Sequence, residues 1–377
     1  MSQSRQGPAQ GGFEMAAIIA ENMKAYLDDV ESRINAAQEE RLIQEWIDYC
    51  DLKCKDPFFS PRRVPAPSKL EWPRVVINDA FQDMTLMLYT QLKGVSDILS
   101  GEVGLLLNVR ANYGTGIIPT MFGAQLFYLP DEVDTLPGTR PLENGVESFE
   151  KVVSSGKIEY TRGLAPDVFE FGARWTELVK DYPLIRKYVF LYNPDLQGPL
   201  SLSDELAGSE LFYAMYDDPE FVHQALDFMT SVYLDFTAKW QALYPTFDAT
   251  HSVEWGLLHK GLTILRNDTA TNLSEDMYRE FVMPYDQKVF RALGGGMHFC
   301  GHGDHYIQAA CELEGLSCIN LSQPELNDME KIYSSTVDQG IIIIGLAAEE
   351  ILRASKEGRN LRGLVQSGAA ISAYRNL

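Results

Sequence analysis

The chain has 377 residues, 45% of them hydrophobic, with 18 Phe and 18 Tyr, enough for one large core or two ordinary ones. Its 32 basic and 53 acidic residues leave a formal charge of −21, which argues against nucleic acid and anionic membrane as main partners, since both need basic surface. Five cysteines without framework spacing, a start lacking the basic-then-apolar pattern of a signal peptide, and no strongly apolar run longer than 341–348 predict a cytoplasmic protein with no membrane span.

In chain order, residues 1–12 are polar and Gly/Gln-rich and read as a flexible tail. Residues 15–53 are rich in helix formers, contain no proline and predict helix. Cys50 and Cys54 close this stretch four apart, a spacing that fits packing better than metal or redox chemistry. Residues 56–73 carry five prolines and predict an extended surface connector, in which Arg62 and Arg63 are either solvated or reach over an active site to hold an anion. Helix returns at 78–100.

Beyond residue 100 the pattern alternates. Strands are predicted at 103–110, 125–129 and 188–192, with helices at 145–155 and 167–187. Asp218-Pro219-Glu220 has a cap residue, a proline for the first helical position and a first-turn acid, and opens a helix to about residue 244. Residues 250–266 mix strand formers with His251, Glu254 and His259; Ser274 caps another helix. Helices are predicted at 306–314, at 327–339 and from 349, with strands at 297–300, 317–321 and 341–344. This repeated strand–helix order predicts a (β/α)8 barrel over 101–377, with 13–100 as a helical extension and Pro-rich connector packed on it; a doubly wound sheet is the competitor.

In a barrel, polar residues just after strands collect at one face. Asn112, Tyr113, Asp195, Gln197, Glu254, His298, Cys300, Asn320 and Glu349 occupy such positions. The densest stretch is 294–305, with His298, Cys300, His302 and His305 among glycines. On a strand, His298 and Cys300 share a face and supply two good zinc ligands. The same residues also fit a buried strand whose cysteine packs as a small hydrophobe and whose histidine is only hydrogen-bonded. Glu254 and Asp195 are the candidate catalytic residues; Asn112, Tyr113, Gln197, His251, His259 and Asn320 are candidate substrate contacts. Asp268 precedes a helix and fits capping or loop bracing at least as well as catalysis.

Several segments, in order, resemble the uroporphyrinogen decarboxylase superfamily, which includes the corrinoid-dependent methyltransferases. They are Asp195-Leu196-Gln197-Gly198-Pro199-Leu200, Leu206-Ala207-Gly208-Ser209-Glu210, Tyr216-Asp217-Asp218-Pro219-Glu220 with His223, and Asn267-Asp268. Leu273-Ser274-Glu275, Tyr278-Arg279-Glu280-Phe281, Pro284-Tyr285 and His298-Phe299-Cys300-Gly301 follow. The resemblance implies the barrel fold. It favours the methylcobamide:coenzyme M type of methyltransferase, where His-x-Cys binds zinc, over the decarboxylases, whose N-terminal arginine segment is not matched by Ser60-Pro61-Arg62-Arg63-Val64. It implies zinc, a small-molecule methyl donor or acceptor and a methylcobamide carried by a corrinoid partner protein, and it is compatible with a homodimer. The family's third ligand is a cysteine after the last strand, but no cysteine lies beyond Cys318. Glu349, Glu254, His302 and His305 are the candidate replacements, and either donor type would make a harder Lewis acid suited to an oxygen-bound methyl donor. A decarboxylase of a porphyrinogen or other carboxylated substrate, and a non-catalytic corrinoid- or tetrapyrrole-binding barrel, are the alternatives.

Overall fold

The computed structural model describes residues 10–369. Most of the predicted polar tail lies outside them, and from Gln10 the chain is already helical, in Gln10–Arg33. Asn35 starts the next helix, Ala36–Cys50, its side chain accepting the Gln38 N–H. The buried face of that helix (Leu42, Trp46, Tyr49, Cys50) lies against the rest of the fold. Trp46 donates to the Gly104 carbonyl at 2.8 Å, and the Tyr49 hydroxyl reaches the carbonyls of Ile343 and Leu364 at 2.8 and 3.0 Å. Cys50 is buried, contacts the Leu258 carbonyl, and has its thiol pushed up to about 12 by burial, as a packing cysteine should.

The Pro-rich connector is not a loose surface strap. Phe59 makes a parallel bridge to Gln366, with Phe59 N–H to Val365 O at 2.8 Å and Ser367 N–H to Phe59 O at 2.9 Å. Extended, proline-compatible backbone suits a sheet edge. Arg63 neither hangs in solvent nor reaches over a site: it is buried, forks onto both carboxylate oxygens of Glu39 and donates to the Leu105 carbonyl.

The strands are β1 (Asn108–Val109), β2 (Gln125–Phe127), β3 (Gly138–Arg140), β4 (Phe190–Leu191), β5 (His251–Glu254), β6 (Leu257–Lys260), β7 (Thr263–Arg266), β8 (Gly295–Phe299), β9 (Leu316–Leu321), β10 (Ile342–Leu346) and β11 (Val365–Ser367). The fold is mixed α/β with a five-stranded parallel sheet in the order β11-β10-β9-β8-β7. Helices run between successive strands of this sheet, so each strand lies beside its predecessor and the order never reverses. β1 and β4 form a separate parallel pair, and β2–β3 and β5–β6 are antiparallel hairpins.

The 250–266 stretch, ambiguous in sequence, is thus a hairpin followed by a sheet strand. Its turn, Trp255-Gly256, has φ of 52° and 79°, the double left-handed geometry that a two-residue hairpin turn demands. In β8, Gly295 has φ 136°, and a Cβ there would lie 1.8 Å from the Thr263 carbonyl oxygen, so only glycine lets β7 and β8 approach. The helix predicted from Asp218 is Pro219–Leu243, with the Asp218 side chain accepting Phe221 N–H at 3.1 Å. The single helix predicted at 167–187 is two, Ala165–Leu178 and Pro183–Tyr188, because Pro183 can only begin a helix. One hydrophobic cluster runs from Ile19 through Val365, joining the N-terminal helices to the sheet. Among the described residues no helix is long and apolar enough to cross a membrane.

Candidate metal centre

The carboxyl ends of β7, β8 and β9 bring together residues far apart in sequence. Register pairs Arg266 with His298 and His298 with Asn320. Asp268 and Cys300 lie two positions beyond Arg266 and His298, and Cys300 N–H donates to Asp268 Oδ1 at 2.8 Å. Ser322, two beyond Asn320, has its hydroxyl 3.6 Å from the Cys300 sulfur.

His298 is held in one tautomer. Asn320 Nδ2 donates to the Ile344 carbonyl at 2.7 Å, which turns Asn320 Oδ1 toward His298 Nδ1 at 2.6 Å. An amide oxygen only accepts, so Nδ1 carries the hydrogen and Nε2 presents its lone pair. That lone pair faces Cys300 Sγ at 3.4 Å and Asp268 Oδ1 at 3.6 Å. Burial, the dominant influence, holds the His298 imidazole below its usual pKa even with Asp268 beside it, which keeps the ring neutral as a ligand must be. Burial likewise raises the Cys300 thiol, against the Ser322 hydroxyl that lowers it, so ionising this sulfur calls for a cation. Asp268 is braced by Gln197 Nε2 on Oδ2 at 2.9 Å.

Zinc bonds of about 2.0–2.3 Å in a tetrahedron set ligand atoms about 3.3–3.8 Å apart. The separations of 3.4 and 3.6 Å fall inside that window, and one ligand atom from each of Asp268, His298 and Cys300 lies within 4.8 Å of the others. Nitrogen, sulfur and oxygen donors, two of them anionic once the thiol is ionised, fit a divalent cation with a fourth position open.

Beneath this group sits a buried charge network. Arg266 Nη2 lies 2.8 Å from Asp195 Oδ1 and 3.0 Å from Glu254 Oε2, while Arg110 holds Asp195 Oδ2. Glu254 Oε1 accepts from Asn193 at 3.1 Å and Ile264 N–H at 3.0 Å. Burial pushes the Glu254 pKa up and Arg266 opposes it. The Arg266 guanidinium lies 4.8 Å from the Trp255 ring centre, and Trp255 stands edge-on to His298 at 5.3 Å. Both oxygens of Glu254 and both of Asp195 are therefore committed, and the two residues that sequence marked as catalytic form the floor under the cluster.

The other expected site residues scatter. Only Asn320 and Gln197 stay at the cluster, holding His298 and Asp268 respectively. Tyr113 is buried edge-on to Phe81 at 5.4 Å, and Asn112 has a buried Oδ1 without a partner. His251 faces Asp248 at 3.3 Å at the far end of the β5–β6 hairpin. His259 is wholly buried, its pKa pushed down to about 4 by desolvation, and bonds the Lys260 carbonyl. Of the four candidate third ligands, none joins His298 and Cys300. Glu254 is bound to Arg266, and Glu349 lines a separate cavity of about 640 Å³ with Glu325, Glu330 and Arg353. His302 and His305 group with Asp304 instead. The carboxylate that does join is Asp268, which a helix-start reading obscured. Glu205 was also missed: its Oε2 is buried without a partner, and burial lifts the carboxyl to about 8 against a hydrogen bond from Thr115.

No family model and no curated protein matches this sequence.

Proposed function

We propose that this chain is a metal-dependent methyltransferase of the uroporphyrinogen decarboxylase superfamily, working with a corrinoid partner on an oxygen-bound methyl donor. The observation that carries the reading is the His298 ring, held at Nδ1 by Asn320 so that its unprotonated Nε2 is aimed at Cys300 Sγ and Asp268 Oδ1. Zinc on these three side chains would act as a Lewis acid toward the donor oxygen. In such a transfer the C–O bond would break with its electron pair left on oxygen, which would take a proton, and a cobalt(I) corrinoid brought by the partner would supply the electron pair that accepts the methyl group.

The chain's own residues serve this chemistry in recognisable ways. One carboxylate and one thiolate make a harder donor set than two thiolates, favouring an oxygen ligand over a thiol. Asn320 and Gln197 fix ligand orientation. The positive charges of Arg266 and Arg110 are paired with Asp195 and Glu254, so they do not repel a cation above them. Trp255 covers the flank of His298 and keeps water from it.

The fold part of the reading is a closed (β/α)8 barrel. Its support is that both edges of the five-stranded sheet continue through parallel bridges, Phe59 to Gln366 and Gln197 to Arg266. The β1–β4 pair adds two more parallel strands, and Leu106 N–H reaches the Gly256 carbonyl at 2.9 Å. The decarboxylase alternative lacks comparable support: of the two connector arginines that could grip an anion, Arg63 is taken by Glu39.

The test is absorbance of zinc-loaded protein with cob(I)alamin and a panel of methoxylated compounds. Growth of the methylcobalamin spectrum, lost in His298→Ala, is expected. Methylation from thioethers but never from ethers would contradict the oxygen-donor assignment. Absence of any transfer, with decarboxylation of a porphyrinogen instead, would replace the reading.

A further inference from the structure

The histidines left out of the first cluster form a second one. His302, Asp304 and His305 each offer a ligand atom, all within 4.8 Å of one another. They lie on the loop that leaves β8 just past Cys300. We propose that this His-Gly-Asp-His turn is a second site for a divalent transition metal, separate from the centre on Asp268, His298 and Cys300.

Each side chain is prepared for the role. His305 Nε2 faces the Leu273 carbonyl at 2.6 Å. A carbonyl only accepts, so Nε2 carries the hydrogen and the lone pair of the neutral ring falls on Nδ1, which is buried with no hydrogen-bond partner. This is the arrangement of a ligating histidine whose second nitrogen is tied to backbone. Asp304 is 8% exposed; its Oδ2 accepts the Asp328 N–H at 3.1 Å, while its buried Oδ1 makes no hydrogen bond. His302 Nε2 lies 2.5 Å from that same Oδ1. The His302 side chain is 60% exposed, so it is free to rotate about its own bonds and open the contact to the roughly 3.3 Å that two ligands of one metal require.

The backbone of the turn is held independently of any metal. Asn327 Oδ1 accepts the N–H groups of Gly303 and Asp304 at 2.8 and 3.0 Å, and Asn327 Nδ2 donates to the Gly301 carbonyl at 2.9 Å. The turn that carries Asp304 is thus held in advance, and His302, already against Asp304, is the ligand that adjusts. Two imidazoles and a carboxylate, without sulfur, suit zinc, cobalt, nickel or iron, and three protein ligands leave positions open for water or a substrate oxygen.

The experiment is titration of chelator-treated, full-length protein with Co2+, reading stoichiometry by equilibrium dialysis and the near-ultraviolet thiolate-to-cobalt absorption together. Wild type is expected to bind a second equivalent that adds no thiolate absorption. His302→Ala, at an exposed position that leaves packing intact, should lose that equivalent and keep whatever thiolate absorption wild type shows. Asp304→Asn should behave the same way. Cys300→Ser should lose the thiolate absorption alone, so failure of the first centre reads differently from failure of the second. Cobalt stoichiometry unchanged in both His302→Ala and Asp304→Asn would overturn the proposal and leave His302 and Asp304 as an ion pair only.

Discussion

At the scale of single residues, the orientation of one amide decides the chemistry. Asn320 can turn its oxygen to His298 only because its nitrogen is held by the Ile344 carbonyl. Asn320→Leu should therefore leave the ligands in place but unaligned, weakening zinc affinity by about 10–100-fold, measured by competition with a chromophoric chelator. Unchanged affinity would mean that His298 is not a ligand. Two buried acids make a second residue-scale prediction. Burial lifts Glu205 and Asp286 to about 8, the latter despite hydrogen bonds from Asn267 and Tyr278. Both pKa values are raised on folding, so the folded chain holds these protons more tightly than the unfolded one. The contribution of these two groups to stability is then fully present below the ordinary carboxylate range and is lost as pH rises toward 8, by up to about 1.4 kcal/mol per pH unit for each group. Asp286→Asn keeps an acceptor for Asn267 and should flatten the decline of Tm between pH 5 and 9. Parallel wild-type and variant curves would contradict the assignment of the proton to Asp286.

At the scale of elements, the glycine-rich start of β8 lets its neighbours close in. A Cβ on Gly295 would meet the Thr263 carbonyl, and one on Gly296 would lie 2.4 Å from the Cys318 sulfur. Gly295→Ala should cost about 3 kcal/mol or more, combining positive-φ strain with displacement of β7. Chemical denaturation would show it, and a loss below about 1 kcal/mol would mean the β7–β8 register adapts. Much at this scale was legible in the sequence. The Asp218-Pro219 helix start, the buried strand predicted at 341–344 and found at Ile342–Leu346, and the shared face of His298 and Cys300 all follow from local rules. Asp268 was not legible as a candidate ligand, because its place depends on β7 pairing β8 so that Arg266 faces His298. Counting two residues on from both strands puts Asp268 beside Cys300, but the register is a tertiary fact. The partner of Glu254 was equally out of reach: a polar residue at a strand end carries no sign in sequence that it is bound to Arg266.

At the scale of the molecule, the N-terminal helices are part of the core rather than an appendage. Trp46, Tyr49 and the buried Arg63–Glu39 pair bond to backbone from Gly104 to Leu364. Sequence composition marked this segment as helix followed by connector but carried no sign that it locks the sheet edge, since the contacts span some 300 residues. Deleting residues 10–50 should therefore abolish cooperative unfolding. A truncated protein with a sharp thermal transition would show that the rest folds alone.

The claim on which the functional account rests is a metal held by Asp268, His298 and Cys300. The direct measurement is metal content of protein purified without chelators or metal-affinity resin, beside His298→Ala, Cys300→Ala, Asp268→Ala and Glu349→Gln. The account predicts that zinc bound at this centre is lost in the first three variants and retained in Glu349→Gln. Wild-type protein that neither contains zinc nor takes it up at this centre on titration, or an Asp268→Ala variant that retains it while Glu349→Gln loses it, would contradict the account.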